Sequence, residues 1–278
     1  MASYDQLPAT ITVASVRDIT PNMRRVTFAG AGVTAYASDE TRVPNIKLIF
    51  PNPSTGVLSL PVVNDDGSRL QWPDPAVRGR VRTYTVRRLD PVAAEMDVDF
   101  VRHGDEGLAS AWAERAQPGD TIGAAAGGGI TAPVADRYLI VGDETALPAI
   151  GRMLERLPAA AVGTVYVEVD APAEEQDLTA PAGLDIVWLH RHGSPAGTTT
   201  LLTDAVKNHT FPDVPGEKVF AWVSAESAVV LDLRRHLRNN VGMDRKSTLV
   251  IGYWKRGVSE TGYGKAADHD RDFTEHDA

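Results

Sequence analysis

RVRTYTVRR, from Arg80 to Arg88, alternates small polar, aromatic and basic residues with the period of a β-strand. On that period Arg82 and Tyr84 share one face, and Thr83 and Thr85 share the other. A flat ring can stack on Tyr84, a guanidinium at Arg82 can form charge-assisted bonds to a diphosphate, and a threonine hydroxyl can donate and accept at a ring edge. Those three needs meet in a flavin dinucleotide. The plainer reading is a β-rich strand of Thr, Tyr and Val whose arginines lie on a solvated face. Arg78, Arg80, Arg82, Arg87 and Arg88 form the densest basic run of the chain, and such runs are commonly solvated. The flavin reading takes Arg82 for phosphate and leaves the other arginines to that solvated face.

Outward from this stretch, the first half of the sequence is a series of short β-rich runs separated by Gly and Pro: 10–16, 23–29, 45–50, 80–87, 96–101 and 120–124. This texture predicts a six-stranded antiparallel β-barrel. One helix is expected at 108–115, and the segment 51–75 should be irregular. From about Asp136 the texture changes. Apolar strand candidates at 138–141, 164–169, 184–189, 219–223 and 247–251 alternate with helical candidates at 146–157, 201–207 and 228–239. That alternation predicts βαβ units around a mainly parallel sheet. The fold class expected is all-β plus α/β: a barrel domain at 1–133, a Rossmann-like domain at 134–258 and a polar tail at 259–278. The domain boundary is expected within 127–136, and AAAGGGITAP, 124–133, reads as a linker segment, although a glycine cluster also lets backbone approach a ligand. In the tail, His269 and His276 lack any regular metal-ligand spacing, so a frayed or docked terminus is expected.

Composition removes several function classes. The 278 residues contain no cysteine, which excludes disulfides, cysteine-ligated iron–sulfur clusters and thiol nucleophiles. Redox chemistry must therefore come from a cofactor. A net charge of −9 argues against nucleic acid as a partner. MASYDQLPAT at the amino terminus has neither a basic leader nor an apolar core, and no apolar run of membrane-spanning length appears. A cytoplasmic protein that is not integral to a membrane is expected.

Three further stretches carry candidate chemistry. In HGDEGLASAW, 103–112, a helix starting near Leu108 would present unpaired backbone N–H groups around Gly107, Ala109 and Ser110 to an anion. A capped surface helix is the simpler alternative. In YLIVGDETALPAI, 138–150, a strand runs into a turn after Gly142, the place where an open α/β sheet receives the phosphates of a nicotinamide cofactor. The G-x-G-x-x-G fingerprint is absent, which disfavours an ordinary Rossmann dehydrogenase. A simple helix start with Thr145 as N-cap and Pro148 in the first turn reads equally well. WVSAES, 222–227, repeats the layout with Ala225 and Glu226 at the strand end. Glu168 and Asp170 could accept from a ribose hydroxyl, which leans toward NADH over NADPH.

Four segments in this order, NIKLIFP (45–51), RTYTVR (82–87), VGDETALPAI (141–150) and GYWKRG (252–257), give the chain its resemblance to a known family. It resembles the siderophore-interacting proteins, flavin-dependent ferric siderophore reductases within the ferredoxin-reductase-like group. The resemblance implies FAD held by Arg82, Thr83, Tyr84, Thr85, Gly107, Ala109 and Ser110, with His103 close to the flavin. It implies NADH or NADPH beside Gly142, Asp143, Glu144 and Thr145, with Ala225 and Glu226 forming the second nucleotide-facing turn. Lys47 and Lys255, with Arg256 adjacent, match positions of a basic cluster for a ferric siderophore. Two departures stand out: Ala225 replaces the usual glycine, and GAAAGGG, 123–129, stands where a G-P-R-G segment would supply a third basic residue. The activity implied is electron transfer from NAD(P)H through FAD to chelated ferric iron, by a monomer, with a reduced ferredoxin as an alternative donor and no residue serving as general acid or base. A flavin-dependent oxidoreductase with another acceptor, and a non-catalytic siderophore-binding protein, are the competing readings.

Overall fold

A computed structural model describes residues 8–34, 43–63, 70–72, 75–105, 107–211 and 214–259. The chain divides into two compact units, Met1–Thr131 and Ala132–Ala278. The histidines of the polar tail, His269 and His276, lie outside the described residues.

The first unit contains β1 (Ala9–Thr20), β2 (Met23–Ala29), the short helix α1 (Ala31–Thr34), β3 (Val43–Ile49), β4 (Val62–Val63), β5 (Leu70–Gln71) and the one-turn helix α2 (Pro75–Arg78). It continues with β6 (Val81–Thr85), β7 (Arg88–Asp90), β8 (Glu95–Val101), α3 (Leu108–Arg115) and β9 (Thr121–Ile130). Seven of these strands form one sheet in the order β6-β3-β9-β1-β2-β8-β7, and every pair in it is antiparallel.

RVRTYTVRR supplies both ends of that order. Its first half pairs with β3 and its second with β8, and between them Val86 N–H donates to Pro44 O while Arg87 N–H donates to Asp97 O, each at 2.9 Å. The result is a barrel-like sheet of seven strand segments instead of the six strands expected, because this run breaks at Val86 and changes partner. Alternate residues Ile11, Val13, Val26, Phe28, Ile46, Leu48, Met96, Val98 and Phe100 are buried in one core. Trp112 of α3 packs against the rings of Phe28, Phe50 and Phe100, with centroids 6.1, 5.4 and 5.7 Å away. The segment expected to be irregular, 51–75, contains the small β4–β5 ladder.

The glycine run is a correction to the sequence reading. GAAAGGG belongs to β9, which runs on to Ile130 and pairs with β3, so it is strand and not linker. Asn45 explains the composition. A Cβ at Gly127 would lie 2.2 Å from the Asn45 carbonyl oxygen, and the Asn45 side chain accepts the Gly128 N–H at 2.7 Å. Glycine lets the two backbones close at this irregular point of the ladder.

The second unit is a five-stranded, wholly parallel sheet in the order β12-β11-β10-β13-β14. The strands are β10 (Arg137–Asp143), β11 (Val162–Val169), β12 (Gly183–His190), β13 (Val219–Glu226) and β14 (Thr248–Trp254). The helices are α4 (Leu147–Leu154), α5 (Leu201–Lys207) and α6 (Ser227–Arg235), the last running into a π-turn at His236–Asn240. Tyr138, Leu139, Ile140 and Val141 are all buried in the central strand, as covering both faces of a parallel sheet requires. Helix α4 ends at Leu154, three residues short of expectation, and its N-cap is Ala146, not Thr145. The Thr145 hydroxyl donates instead to the Asp143 carboxylate at 2.5 Å. Pro148 does sit in the first turn. Gly142 permits α4 to approach the sheet, since a Cβ there would lie 2.6 Å from the Ala146 Cβ and 3.0 Å from the Ser224 carbonyl oxygen.

Candidate functional site

In the first unit the β3–β6 register pairs Leu48 with Arg82, Lys47 with Thr83, Ile46 with Tyr84 and Asn45 with Thr85. Arg82 and Tyr84 therefore share a face with the buried core residues of β3, while Thr83 and Thr85 point the other way with Lys47. The Tyr84 ring meets Phe100 with centroids 4.5 Å apart and a 40° tilt, and it remains half-buried. Arg82 directs Nη1 to the carbonyl oxygens of Gly79 at 2.9 Å and Val81 at 2.8 Å, fixing the turn that leads into β6. On the outer face Lys47 Nζ donates to the Thr83 hydroxyl, so a residue expected to face substrate and one expected to face cofactor touch each other.

Arg80 departs from the solvated face expected of the basic run. It is 8% exposed, its carbonyl accepts the Phe50 N–H at 3.0 Å, and its buried Nε has no hydrogen-bond partner.

The loop before α3 is held from within. Ser110 Oγ accepts the His103 N–H at 3.1 Å and donates to the Gly104 carbonyl at 2.8 Å, which leaves this buried hydroxyl bracing the turn. Gly107 is the N-cap, with φ of 82° and no side-chain cap, a left-handed conformation that glycine adopts freely. The first N–H groups of α3 thus receive no cap from the side chain of the N-cap position, at the positive end of the helix. His103 is exposed and Ala109 buried.

In the second unit the chain runs β10, β11, β12 to one side and then β13, β14 to the other, so the strand order reverses between β10 and β13. The carboxyl end of such a reversal is the ligand crevice of open α/β sheets. The structure brings the two acidic turns together there: Gly142 lies opposite Ser224 in the β10–β13 register, with Asp143 ending β10 and Ala225 and Glu226 ending β13.

Each carboxylate has partners within the protein. Asp143 accepts the Thr145 N–H at 2.9 Å through Oδ1 and the Trp254 indole N–H at 2.7 Å through Oδ2. Burial, and next the nearby Glu144 carboxylate, raise its carboxyl to about 7, against the donors of Thr145 and Trp254, which favour the ionised form. Glu144 takes two bonds of 2.6 Å from Arg191. Glu226 caps α6 through Ala228 N–H at 2.6 Å and accepts the Arg256 N–H at 3.1 Å.

Glu168 points into this network, accepting from the Thr199 hydroxyl at 2.9 Å with Arg191 3.6 Å away, and burial raises its carboxyl as well. Asp170 accepts the Gly193 N–H at 2.9 Å. Sequence reasoning missed Arg191, Thr199 and the anchoring indole of Trp254. One signal was present: Arg191 is the first Lys or Arg after Arg156. Lys255 and Arg256 follow β14 in this unit, half-buried and exposed respectively, whereas Lys47 belongs to the first unit.

Residues 12–130 match the family model of the siderophore-interacting FAD-binding domain, and residues 135–257 match that of the siderophore-interacting protein. The chain belongs to the siderophore-interacting protein family. Among solved members, a siderophore utilization protein from T. fusca shares 42% identity and a TM-score of 0.82, covering 91% of this chain and 94% of that one. The ferric vibriobactin reductase ViuB of Vibrio cholerae is 34% identical over 247 residues, 88% of each chain. The NADPH-dependent ferric-chelate reductase of Escherichia coli is 30% identical over 252 residues, 88% of this chain and 91% of the relative.

A siderophore-interacting FAD-binding domain must hold a flat ring and a diphosphate, and the residues present fit both. The half-buried Tyr84 offers a ring, α3 starts without a side-chain cap, and the orphaned Arg80 Nε is a buried donor awaiting an acceptor.

Proposed function

We propose that this protein is a ferric siderophore reductase that passes electrons from NADH or NADPH through FAD to chelated ferric iron. The observation that carries the reading is the β6 face, where Arg82 and Tyr84 share one side of the strand in a unit matching the siderophore-interacting FAD-binding family model. Relatives named for ferric vibriobactin and ferric-chelate reduction support the acceptor. Bound FAD would supply the conversion of a two-electron hydride donor into one-electron deliveries.

In this reading Tyr84 stacks the flavin ring, Thr85, at the strand end, reaches round to bond its edge, Thr83 lies behind the ring on the Lys47 side of the strand, and His103 stands beside the flavin. Arg82 holds the approach to the phosphates by fixing the turn at Gly79, and Gly107, Ala109 and Ser110 shape the N–H cradle of α3. Gly142, Asp143, Glu144 and Thr145, with Ala225 and Glu226, form the floor on which the nicotinamide cofactor lies. Lys47, Lys255 and Arg256 attract an anionic ferric chelate. Iron leaves the chelate because hard oxygen ligands hold the ferric ion far better than the ferrous ion. The barrel domain at 1–133 takes the flavin and the α/β domain at 134–258 the nucleotide. The protein works as a cytoplasmic monomer, and a reduced ferredoxin is the alternative donor. Among the described residues no helix is long and apolar enough to cross a membrane.

The test is an absorption spectrum. Purified or FAD-reconstituted protein is expected to be yellow, to bleach anaerobically with NADH or NADPH and to recolour on adding a ferric siderophore. Protein that takes up no FAD, or whose bleached form is indifferent to the ferric chelate, overturns the assignment.

A further inference from the structure

Arg80 is a guanidinium in the wrong environment for the protein as it stands. A cation taken out of water is costly unless a carboxylate or a set of acceptors meets it. The other arginines around this sheet satisfy that rule: Arg25 clasps Asp99 at 2.6 and 2.8 Å, Arg88 binds Asp97 at 2.7 Å, and Arg102 binds Glu114 at 2.9 and 2.8 Å. Arg152 and Arg234 also have an unpartnered Nε but are less buried; among the described residues Arg80 alone combines it with 8% exposure, and no carboxylate of those residues lies within ion-pair distance of Arg80.

Its position says what would meet it. Arg80 extends the β3–β6 ladder by one bond, from Phe50 N–H to its own carbonyl. Strand alternation then places Arg80, Arg82 and Tyr84 on the side that carries Leu48 and Phe50. The Phe50 ring lies against Trp112 of α3 at 5.4 Å, so this is the side of the sheet that α3 covers, and α3 begins with uncapped N–H groups. A diphosphate is the part of a flavin dinucleotide that such donors recognise. Arg82 has committed Nη1 to the carbonyls of Gly79 and Val81, which gives it a share in shaping the turn.

We infer that Arg80 is a binding residue for the diphosphate of the flavin dinucleotide, its side chain tucked against the protein with a buried, unpartnered Nε for an anion that arrives with the cofactor. This rests on the flavin reading above and adds a residue to it. A buried donor group without its acceptor weakens the empty protein and strengthens the loaded one.

The test is titration of apoprotein with FAD and, separately, with riboflavin, which has the ring and no phosphate, following flavin fluorescence in wild type and Arg80→Met. Arg80→Met is expected to weaken FAD binding by about 10- to 100-fold, the range of a charge-assisted bond to phosphate, with riboflavin binding changed less than about twofold. Thermal unfolding of the apoprotein should be unchanged or shifted upward, the opposite of what a structural arginine would show. If Arg80→Met does not fold, Arg80→Gln takes its place in the same titrations. FAD affinity within about twofold of wild type in the folded variant, or equal losses for FAD and riboflavin, overturns the inference and leaves the flavin reading standing. A wild-type apoprotein that binds neither flavin overturns both.

Discussion

Asp97 sits on the outer face of β8, yet it is 4% exposed, because Arg25, Thr27 and Arg88 close over it. The alternation in EMDVDFV marks Met96, Val98 and Phe100 as core and Asp97 and Asp99 as their opposites, and that much is visible in the sequence. That the polar face is roofed by arginines is not visible, since Arg25 reaches Asp99 from 74 residues away. Burial alone would raise the Asp97 carboxyl, but bonds from Arg88 and Thr27 outweigh it and hold the group below the ordinary carboxylate range. A depressed folded value means stability that is present above the unfolded value, near 4, and is lost as pH falls through the folded one. Arg88→Met removes the main partner and leaves a buried carboxylate. The expected cost at pH 7 is about 1–2 kcal/mol, less than for a fully buried pair, because the Arg88 side chain is 40% exposed. The gap in melting temperature between wild type and variant should narrow as pH is lowered from 7 toward 3.5, when Asp97 in the variant takes up a proton. A gap independent of pH would show that Arg88 acts only through packing.

At the scale of elements, β2, α3 and α5 span the residues their sequence patterns mark, because strand alternation and a compact helical run are local properties. β9 was not legible in the same way. Glycine has low strand propensity, and what makes GAAAGGG a strand is the close approach of Asn45, a contact from 83 positions earlier in the chain. Adjacent glycines test that account against mere flexibility. At Gly127 a Cβ would lie 2.2 Å from the Asn45 carbonyl oxygen, whereas at Gly128 the nearest atom is 3.8 Å away. Gly127→Ala must therefore push the β3–β9 ladder apart, with an expected loss of about 1–3 kcal/mol. Gly128→Ala should be neutral or stabilising by up to about 1 kcal/mol, through the reduced freedom of the unfolded chain. Denaturant melts of the two variants decide the matter, and equal effects in both would sink the close-approach explanation. The acidic turns teach a related lesson. GDET and SAES are recognisable as strand ends, but their convergence follows from the strand order, and Arg191, just past β12, and Trp254, at the end of β14, enter the site from elsewhere in the chain.

The molecule as a whole carries a net charge of −9, which repels the anionic chelate that the proposed basic residues must attract. Reach decides which wins. At about 0.01 M ionic strength the screening length is about 30 Å, so the charge of the whole protein is felt; at about 0.1 M it is about 10 Å, and only nearby groups count. For an anionic ferric chelate, kcat/KM should therefore rise as salt is increased from about 0.01 to about 0.1 M, while the global repulsion is screened. It should fall again toward about 0.5 M as the attraction of Lys47, Lys255 and Arg256 is screened in turn. A neutral ferric chelate should show neither limb. With a glycine strand where a further basic residue would stand, the falling limb should be shallow and rest on Lys47, Lys255 and Arg256. Lys255→Ala is expected to lower kcat/KM for the anionic chelate several-fold at about 0.1 M salt, keep the rising limb and flatten the falling one. Stopped-flow reoxidation of the reduced protein measures each limb directly. A steady rise through the whole salt range in wild type would mean that these basic side chains do not guide the chelate, and that the acceptor approaches this protein only as fast as its negative charge permits.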